Sequence, residues 1–518
     1  MRIVIRTDAS KQIGSGHVMR CLSLADSLRG FDSTVEFITR SHESNLDKLI
    51  ENKGFKVYSL PNPSKYRVQQ SLTKYTSWLG VQQDLDANET IKILKGKSPD
   101  YLIVDHYALD YKWEHKLRSC SKKIMVIDDL ANRAHDCDVL LDQNYLHDKG
   151  GRYHTLLSPS VTQLIGPKYA LLRKEFEEIC KDRNQNQESI KSVLIFFGGI
   201  DSGNLTTIAI EALMHRNLIH LSLNVVIGAN NPYQDMVKNQ IEKHPHAALH
   251  VQVDNMAELM KESDIVLGAG GSTIWEWMSI GLPSIVVTTA ENQISCVKNL
   301  ARDNYIKWLG NTDQVSKEII SKAFLETINN SKILCKQSLK SQELVDGRGT
   351  QRVTKLLTIG PNIQTLKVRR AKISDSLLYW HWANDPTVRS NAFNQHKIEW
   401  KDHQTWFNES LTDFNTKLLL IESESESGPV GQVRFNRSDS NYIISYSIAR
   451  QFRGLSLGQV VLTKAIDYLR QSEVAILIGD VKENNLASIK IFNQLGFEEV
   501  DSHQKGVIRF QLHNNILK

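Results

Sequence analysis

Residues 3–10 read Ile3-Val4-Ile5-Arg6-Thr7-Asp8-Ala9-Ser10, and residues 13–22 read Ile13-Gly14-Ser15-Gly16-His17-Val18-Met19-Arg20-Cys21-Leu22. This stretch decides the fold. A short apolar run enters a loop with two glycines. Val18, Cys21, Leu22, Ala25 and Leu28 then recur at helical spacing. A strand passing through a glycine loop into an amphipathic helix opens a parallel α/β sheet. Ligands of such sheets bind beyond the carboxyl ends of the strands. His17 falls there, at a helix N-terminus. The positive helix end disfavours imidazolium and so keeps a base neutral near pH 7. The spacing alone describes a plain glycine turn beside a helix cap equally well, because a short Gly-x-Gly is a weak signal.

Outward from this stretch, strands are expected at residues 3–6, 35–39, 101–105, 123–128, 139–141 and 163–165, alternating with helical stretches. A polar stretch, residues 181–189, breaks the pattern. A second series follows, with strands at 192–197, 221–227, 248–253, 265–267 and 284–287. Two such series predict two Rossmann-like halves, 1–185 and 190–357. Residues 359–362 (Ile-Gly-Pro-Asn) read as a linker, and a third unit spans 366–518. Residues 422–427 alternate Glu and Ser and read as a solvated hairpin turn.

The composition is that of an ordinary globular protein. Of 518 residues, 41% are hydrophobic and 23% charged, with a formal net charge of +5. No dense lysine or arginine run points to nucleic acid. Six scattered cysteines without a Cys-x-x-Cys pair favour a reduced, cytoplasmic protein over a disulfide or zinc framework. No apolar run approaches the roughly 18 residues of a membrane span, and the chain opens on a strand rather than a signal peptide. The sequence leaves the oligomeric state open.

The second half carries three glycine loops at strand ends. Gly268-Ala269-Gly270-Gly271-Ser272-Thr273-Ile274-Trp275-Glu276 turns from a strand into a helix. Free N–H groups at Gly271, Ser272 and Thr273 suit a diphosphate, and the Glu276 carboxylate suits ribose hydroxyls. Gly198-Gly199-Ile200-Asp201 and Ile227-Gly228-Ala229-Asn230 are the other two loops. Together they predict a nucleotide site with Gly199, Asp201 and Gly228 among its contacts; tight turns alone are the competing reading. Gln293 is a further expected substrate contact.

Residues 1 to about 350 resemble the UDP-sugar hydrolase of pseudaminic acid biosynthesis, a family with the two-domain GT-B fold. The resemblance rests on Asp8-Ala9-Ser10 with Gly14-x-Gly16-His17-x-Met19-Arg20-Cys21. It extends to Ile127-Asp128-Asp129-Leu130-Ala131, Leu140-Leu141-Asp142-Gln143-Asn144 and Gly166-Pro167-x-Tyr169-Ala170-Leu171-Leu172-Arg173. Gly270-Gly271-Ser272-Thr273-x-Trp275-Glu276 and Gly281-Leu282-Pro283 match as well. Thr7 stands where alanine is expected. The resemblance implies metal-free cleavage of UDP-2,4-diacetamido-2,4,6-trideoxy-β-L-altropyranose to UDP and free sugar, with His17 as the catalytic histidine. UDP is a good leaving group, so the base mainly orients and deprotonates water. Asp8, Gly16, Arg20, Tyr107 and Asn292 are the expected substrate contacts. Asp128 and Asp129 are adjacent, point apart at a strand end, and are expected to be structural.

In the third unit a strand at 442–448 precedes Gln451-Phe452-Arg453-Gly454-Leu455-Ser456-Leu457-Gly458 and a helical run. Strand, glycine turn and helix form a pyrophosphate cradle. The spacing resembles motif A of the GNAT acetyltransferases, with Ser456 in place of the first glycine. Asn485-Leu486-Ala487-Ser488, Phe492 and Leu495-Gly496-Phe497 resemble the last GNAT helix and strand. The resemblance implies acetyl-CoA as co-substrate, held by Arg453, Gly454, Ser456, Leu457, Gly458, Asn485 and Ser488. Trp382-Ala383-Asn384-Asp385-Pro386-x-Val388-Arg389 and His403-x-x-Trp406-Phe407 resemble the acetyltransferase that acts on a UDP-4-amino sugar of the same pathway; core packing is the competing reading of these aromatics. Phe492 departs from the family, whose tyrosine protonates the leaving thiolate. Restoring Tyr there is expected to keep or modestly raise acetyl transfer. His381, His403 and Tyr446 are the candidate bases.

The combined expectation is an α/β chain, two Rossmann-like halves of GT-B type followed by a GNAT α+β domain. Its partners are a UDP-sugar and acetyl-CoA, with no metal, nucleic acid or membrane. The two reactions are consecutive: N-acetylation of a UDP-4-amino-4,6-dideoxy-sugar, then hydrolysis. The rival readings are a GT-B glycosyltransferase or a UDP-sugar-binding protein, fused to a protein N-acetyltransferase.

Overall fold

The computed structural model describes residues 1–65, 75–147, 151–180, 189–328, 330–360, 363–423, 428–439, 441–471, 475–502 and 504–514. The polar stretch at 181–188, linker residues 361–362 and the turn at 424–427 lie outside the described residues. The chain divides into two compact units. One comprises residues 1–134, 141–153 and 165–354; the other comprises 135–140, 154–164 and 355–518.

The first sheet contains β1 (Arg2–Thr7), β2 (Thr34–Arg40), β3 (Lys56–Leu60), β4 (Tyr101–Asp105), β5 (Ile124–Ile127), β6 (Val139–Asp142) and β7 (Thr162–Ile165). Their spatial order is β3-β2-β1-β4-β5-β6-β7. β1 pairs in parallel with both β2 and β4, so the strand order reverses between β1 and β4. Crevices at such reversals take ligands. Helix α1 (Gly16–Arg29) follows β1 and buries Val18, Cys21, Leu22, Ala25 and Leu28, the stripe expected from the sequence.

The second sheet contains β8 (Ser192–Phe196), β9 (Ser222–Ile227), β10 (Ala247–Val251), β11 (Ile265–Ala269), β12 (Ser284–Thr288) and β13 (Lys307–Asn311), ordered β10-β9-β8-β11-β12-β13. Its reversal lies between β8 and β11. Helices α2 (Leu205–Leu213) and α3 (Ile274–Ser279) follow β8 and β11. The α/β reading thus holds for both sheets. β3 and β13 were not expected from the sequence. Both are edge strands, and their mixed runs (Lys-Val-Tyr-Ser-Leu and Lys-Trp-Leu-Gly-Asn) lack the continuous apolar signal of strands buried on both faces.

The third sheet contains β14 (Leu366–Arg370), β15 (Thr416–Ser423), β16 (Gly428–Ser438), β17 (Asn441–Ile448), β18 (Ala475–Lys482), β19 (Glu498–Val500) and β20 (Val507–Asn514). It is antiparallel except for the parallel β17–β18 pair. Helices α4 (Ser376–Ala383) and α5 (Trp400–Thr412) precede β15. Helices α6 (Leu457–Arg470) and α7 (Leu486–Gln494) follow β17 and β18. Among the described residues, no helix is long and apolar enough to cross a membrane.

Candidate active sites

In the first unit, His17 and Asp105 meet at the β1–β4 reversal. The parallel register places Thr7 beside Asp105, and His17 opens the helix after β1. His17 Nδ1 lies 2.6 Å from Asp105 Oδ1. A carboxylate only accepts, so Nδ1 carries the hydrogen and Nε2 is left as the acceptor, the tautomer a general base needs. Arg20, one turn along α1 on the same face, grips both Asp105 oxygens at 2.7 and 2.6 Å and donates to Asp129 at 3.0 Å. All three members of the His17–Asp105–Arg20 cluster are buried. Burial alone would raise the Asp105 pKa, but Arg20 and then His17 overcome it and hold the carboxyl well below the usual range.

An aromatic wall covers His17. The Tyr107 ring stands edge-on at 4.5 Å and stacks on Trp78 at 5.5 Å. Asn292, from the second sheet's side, donates to the Tyr107 hydroxyl at 3.3 Å. Opposite, the turn after β11 faces the turn after β1. A Cβ on Gly16 would stand 3.6 Å from Ser272 Oγ. A cleft between them is lined by Gly16, Met19, Arg20, Ser23, Gln143, Arg173, Ser272, Trp275 and Glu276. The N–H groups of Gly271, Ser272 and Thr273 donate to no described acceptor, and Gln293 lies 3.6 Å from a Cβ on Gly271.

Glu276 sits on this cleft, its carboxylate 3.4 Å from Arg173. Burial raises its pKa, and Arg173 opposes that shift. Glu276→Ala is expected to weaken UDP binding about 10–100-fold, the worth of a charged hydrogen bond, while changing saturated turnover little. Calorimetry with UDP checks this; unchanged affinity leaves Glu276 as the ion-pair partner of Arg173 alone.

Not every expected contact reaches the cleft. Asp8 is fully buried. Its Oδ1 accepts from Arg6 at 2.5 Å and from the Arg40 N–H at 2.6 Å, and its Oδ2 lies 3.3 Å from His106. It braces the loop from behind rather than offering a sugar contact. Asp201 accepts from the Leu205 and Thr206 N–H groups and so caps α2. Gly228 donates to the Gly199 carbonyl at 3.0 Å, and a Cβ on Gly228 would stand 2.6 Å from that oxygen. These two glycines let neighbouring loops touch.

Asp128 and Asp129 part company as their alternation requires. Asp128 is buried against Arg133, Tyr153 and the Ala131 N–H. Asp129 turns to Arg20 and is part of the site, contrary to the structural role expected for both. Asp105, Trp78, Asp129 and Arg173 were missed from the sequence. A carboxylate ending the apolar run Tyr101–Val104 was the available signal for Asp105.

In the second unit, Ser456 takes a left-handed conformation, φ +57°, immediately before α6. This turn aims the first N–H groups of α6 outward. Gly454 has φ +81°, and a Cβ on Gly458 would stand 2.5 Å from Ile491. Leu457 is buried at the start of α6. Arg453 donates to Asp385 at 2.7 Å and to the Ile448 carbonyl at 2.9 Å, so it braces the turn. Asn485 caps α7 by accepting from the Ser488 N–H, and the Ser488 hydroxyl lies 3.0 Å from that of Tyr446. His403 Nε2 lies 2.8 Å from the Ser376 carbonyl and is buried, a core arrangement rather than a free base. Phe407 and Trp382 are core residues too.

Phe492 is 2% exposed, stacked on Phe510 at 5.4 Å and edge-on to Phe497 at 4.8 Å. Gly479 leaves room for its ring: a Cβ there would stand 2.5 Å away. The ring therefore faces the core, which removes the reason to expect a rate gain from tyrosine. Phe492→Tyr is expected to cost about 1–3 kcal/mol of stability, because the buried hydroxyl gains no partner. Thermal unfolding and acetyl transfer rates check this; a tenfold faster transfer would contradict it.

Residues 365–498 match the acetyltransferase (GNAT) domain family, and residues 193–349 match the glycosyltransferase family 28 C-terminal domain. The chain is an enzyme whose C-terminal residues match the GNAT acetyltransferase domain and whose preceding residues are similar to a UDP-sugar hydrolase. It is 26% identical over 96% of its length to an uncharacterized protein of Methanocaldococcus jannaschii, covering 97% of that protein. It is 27% identical to the UDP-2,4-diacetamido-2,4,6-trideoxy-beta-L-altropyranose hydrolase of Campylobacter jejuni, over 59% of this chain and 98% of that one. Among solved structures, MurG of Acinetobacter baumannii covers 68% of this chain and 98% of its own, with 14% identity and a TM-score of 0.48. The GNAT match spans β14 to β18 and the α6 turn, and the family 28 match spans the second sheet with its Gly271–Glu276 turn.

Proposed function

We propose that the first unit hydrolyses a UDP-linked 2,4-diacetamido-2,4,6-trideoxy-sugar, UDP-2,4-diacetamido-2,4,6-trideoxy-β-L-altropyranose, to UDP and free sugar. The GNAT domain carries out the preceding step, acetyl-CoA-dependent N-acetylation of the UDP-4-amino-4,6-dideoxy-sugar. Together they serve pseudaminic acid biosynthesis. The His17–Asp105 pair at 2.6 Å, opposite the open N–H groups of residues 271–273, carries this reading.

Asp105 fixes the imidazole so that Nε2 accepts a proton from water as the water attacks the anomeric carbon. The bond from that carbon to the diphosphate oxygen breaks, and UDP leaves with the electron pair. The 271–273 N–H groups stabilise the departing diphosphate. Tyr107 and Trp78 shield the base, and Glu276 holds the ribose. In the GNAT domain the turn before α6 holds the pyrophosphate of acetyl-CoA. The acceptor amine attacks the acetyl carbonyl, the C–S bond to coenzyme A breaks, the thiolate leaves with the electron pair, and the proton lost by the amine passes through solvent to that thiolate.

Mass spectrometry of the full chain incubated with acetyl-CoA and a UDP-4-amino-4,6-dideoxy-sugar tests the reading. Both the acetylated UDP-sugar and the free diacetamido sugar should appear. A glycoside formed only when an acceptor alcohol is added would instead identify a glycosyltransferase.

A further inference from the structure

The GNAT domain contains an arginine with no hydrogen-bond or ion-pair partner among the described residues. Arg434, on β16, makes no side-chain hydrogen bond or ion pair with any of them, and its buried Nε is left unsatisfied. Its recorded contact is the Trp406 ring of α5, with the guanidinium carbon 5.3 Å from the ring centroid. Burial pulls its pKa down, and the Tyr379 hydroxyl, not a described carboxylate, opposes this. Three other arginines of the same domain are paired with carboxylates: Arg369 with Asp375, Arg453 with Asp385 and Arg509 with Asp480. An unpaired, largely buried cation is costly. Such a group is retained at a gain only if an anion arrives from outside.

Strand alternation decides which anion. A Cβ on Gly431 would stand 3.4 Å from Val461, so odd residues of this part of β16 face α6. Arg434 is three residues on, in regular register with Leu418 and Ser445. It therefore faces the other side of the sheet, where Trp406 stands. The pyrophosphate cradle opens at the start of α6, so Arg434 belongs to a different ligand. A guanidinium fork backed by an indole matches phosphate oxygens. On the same face, Gln432 donates to Ser447 at 3.2 Å, so polar groups continue along that face of the sheet.

We propose that Arg434, stacked on Trp406, binds a phosphate of the acetyl acceptor and so selects a nucleoside-diphosphate-linked amine. This rests on the acetyltransferase reading above. The test compares two acceptors with the full chain: the UDP-4-amino-4,6-dideoxy-sugar and the methyl glycoside of the same amino sugar. Arg434→Gln should lower the ratio of their kcat/KM values by about 10–100-fold, the worth of a charged hydrogen bond. Arg434→Lys, which keeps the charge but not the fork, should lower it less and serves if the glutamine variant does not fold. Arg437→Gln, an exposed charge on the same strand, should leave the ratio within about twofold. An unchanged ratio in the Arg434 variants, with wild type still preferring the UDP-linked amine, overturns the assignment alone. A wild type that does not prefer the UDP-linked amine, or that prefers a carboxylate-bearing peptide amine, overturns the assignment and the acceptor reading together.

Discussion

His17→Ala is expected to slow UDP release about 10²–10⁴-fold, the range for loss of a general base, while acetyl transfer continues. In the coupled reaction the acetylated UDP-sugar should therefore accumulate, with little free sugar. His17 is the ring at the β1–β4 reversal whose tautomer is fixed by a buried carboxylate at 2.6 Å, and it stands across from the open turn after β11. Chromatographic separation of UDP and both sugar nucleotides over time gives the readout. A variant that releases UDP within threefold of the wild-type rate contradicts the assignment.

Asp105→Asn should produce the second large effect, on two measurements at once. The amide preserves shape but removes the charge that orients Nδ1–H, so hydrolysis should fall about 10²–10⁴-fold. It also leaves Arg20 without its bidentate partner in a buried setting. Removing one member of a buried pair costs about 3–5 kcal/mol, and Asp129 at 3.0 Å keeps the loss near the lower end. Urea unfolding of the variant against wild type measures it. The pH dependence has a definite sign. The folded-state pKa of Asp105 lies below its unfolded value, near 3.9. Its stabilisation is thus fully present above about pH 4 and is lost as the pH falls further. The wild type should accordingly lose more stability than Asp105→Asn on acidification below pH 4. Equal acid sensitivity would place the coupling elsewhere.

What the sequence made legible follows from the range of its signals. Local periodicity exposed α1 and the strands buried on both faces, because a 3.6-residue stripe and an apolar run are written in neighbouring residues. Edge strands β3 and β13 escaped, since half-exposed strands mix polar and apolar residues without a clean pattern. At the site, His17, Gly16 and Arg20 share one stretch and were read together. Asp105 lies 88 residues away from His17, and only the strand order makes β4 the neighbour of β1. The burial of Asp8 and the capping by Asp201 are equally nonlocal: a carboxylate beside a glycine loop looks the same in sequence whether it meets a ligand or a helix N-terminus. Phe492 shows the same limit. Its place in a motif was readable, but the direction of its ring was set by Gly479 on β18 and Phe510 on β20.

In the proposed reaction His17 activates water for attack on the sugar, with UDP as the leaving group. Hydrolysis in H₂¹⁸O, followed by mass spectrometry of the UDP released at early times, tests it most directly. Attack on the anomeric carbon predicts UDP without label and free sugar carrying one ¹⁸O. Label in the terminal phosphate of UDP would mean attack on phosphorus, and would contradict the account.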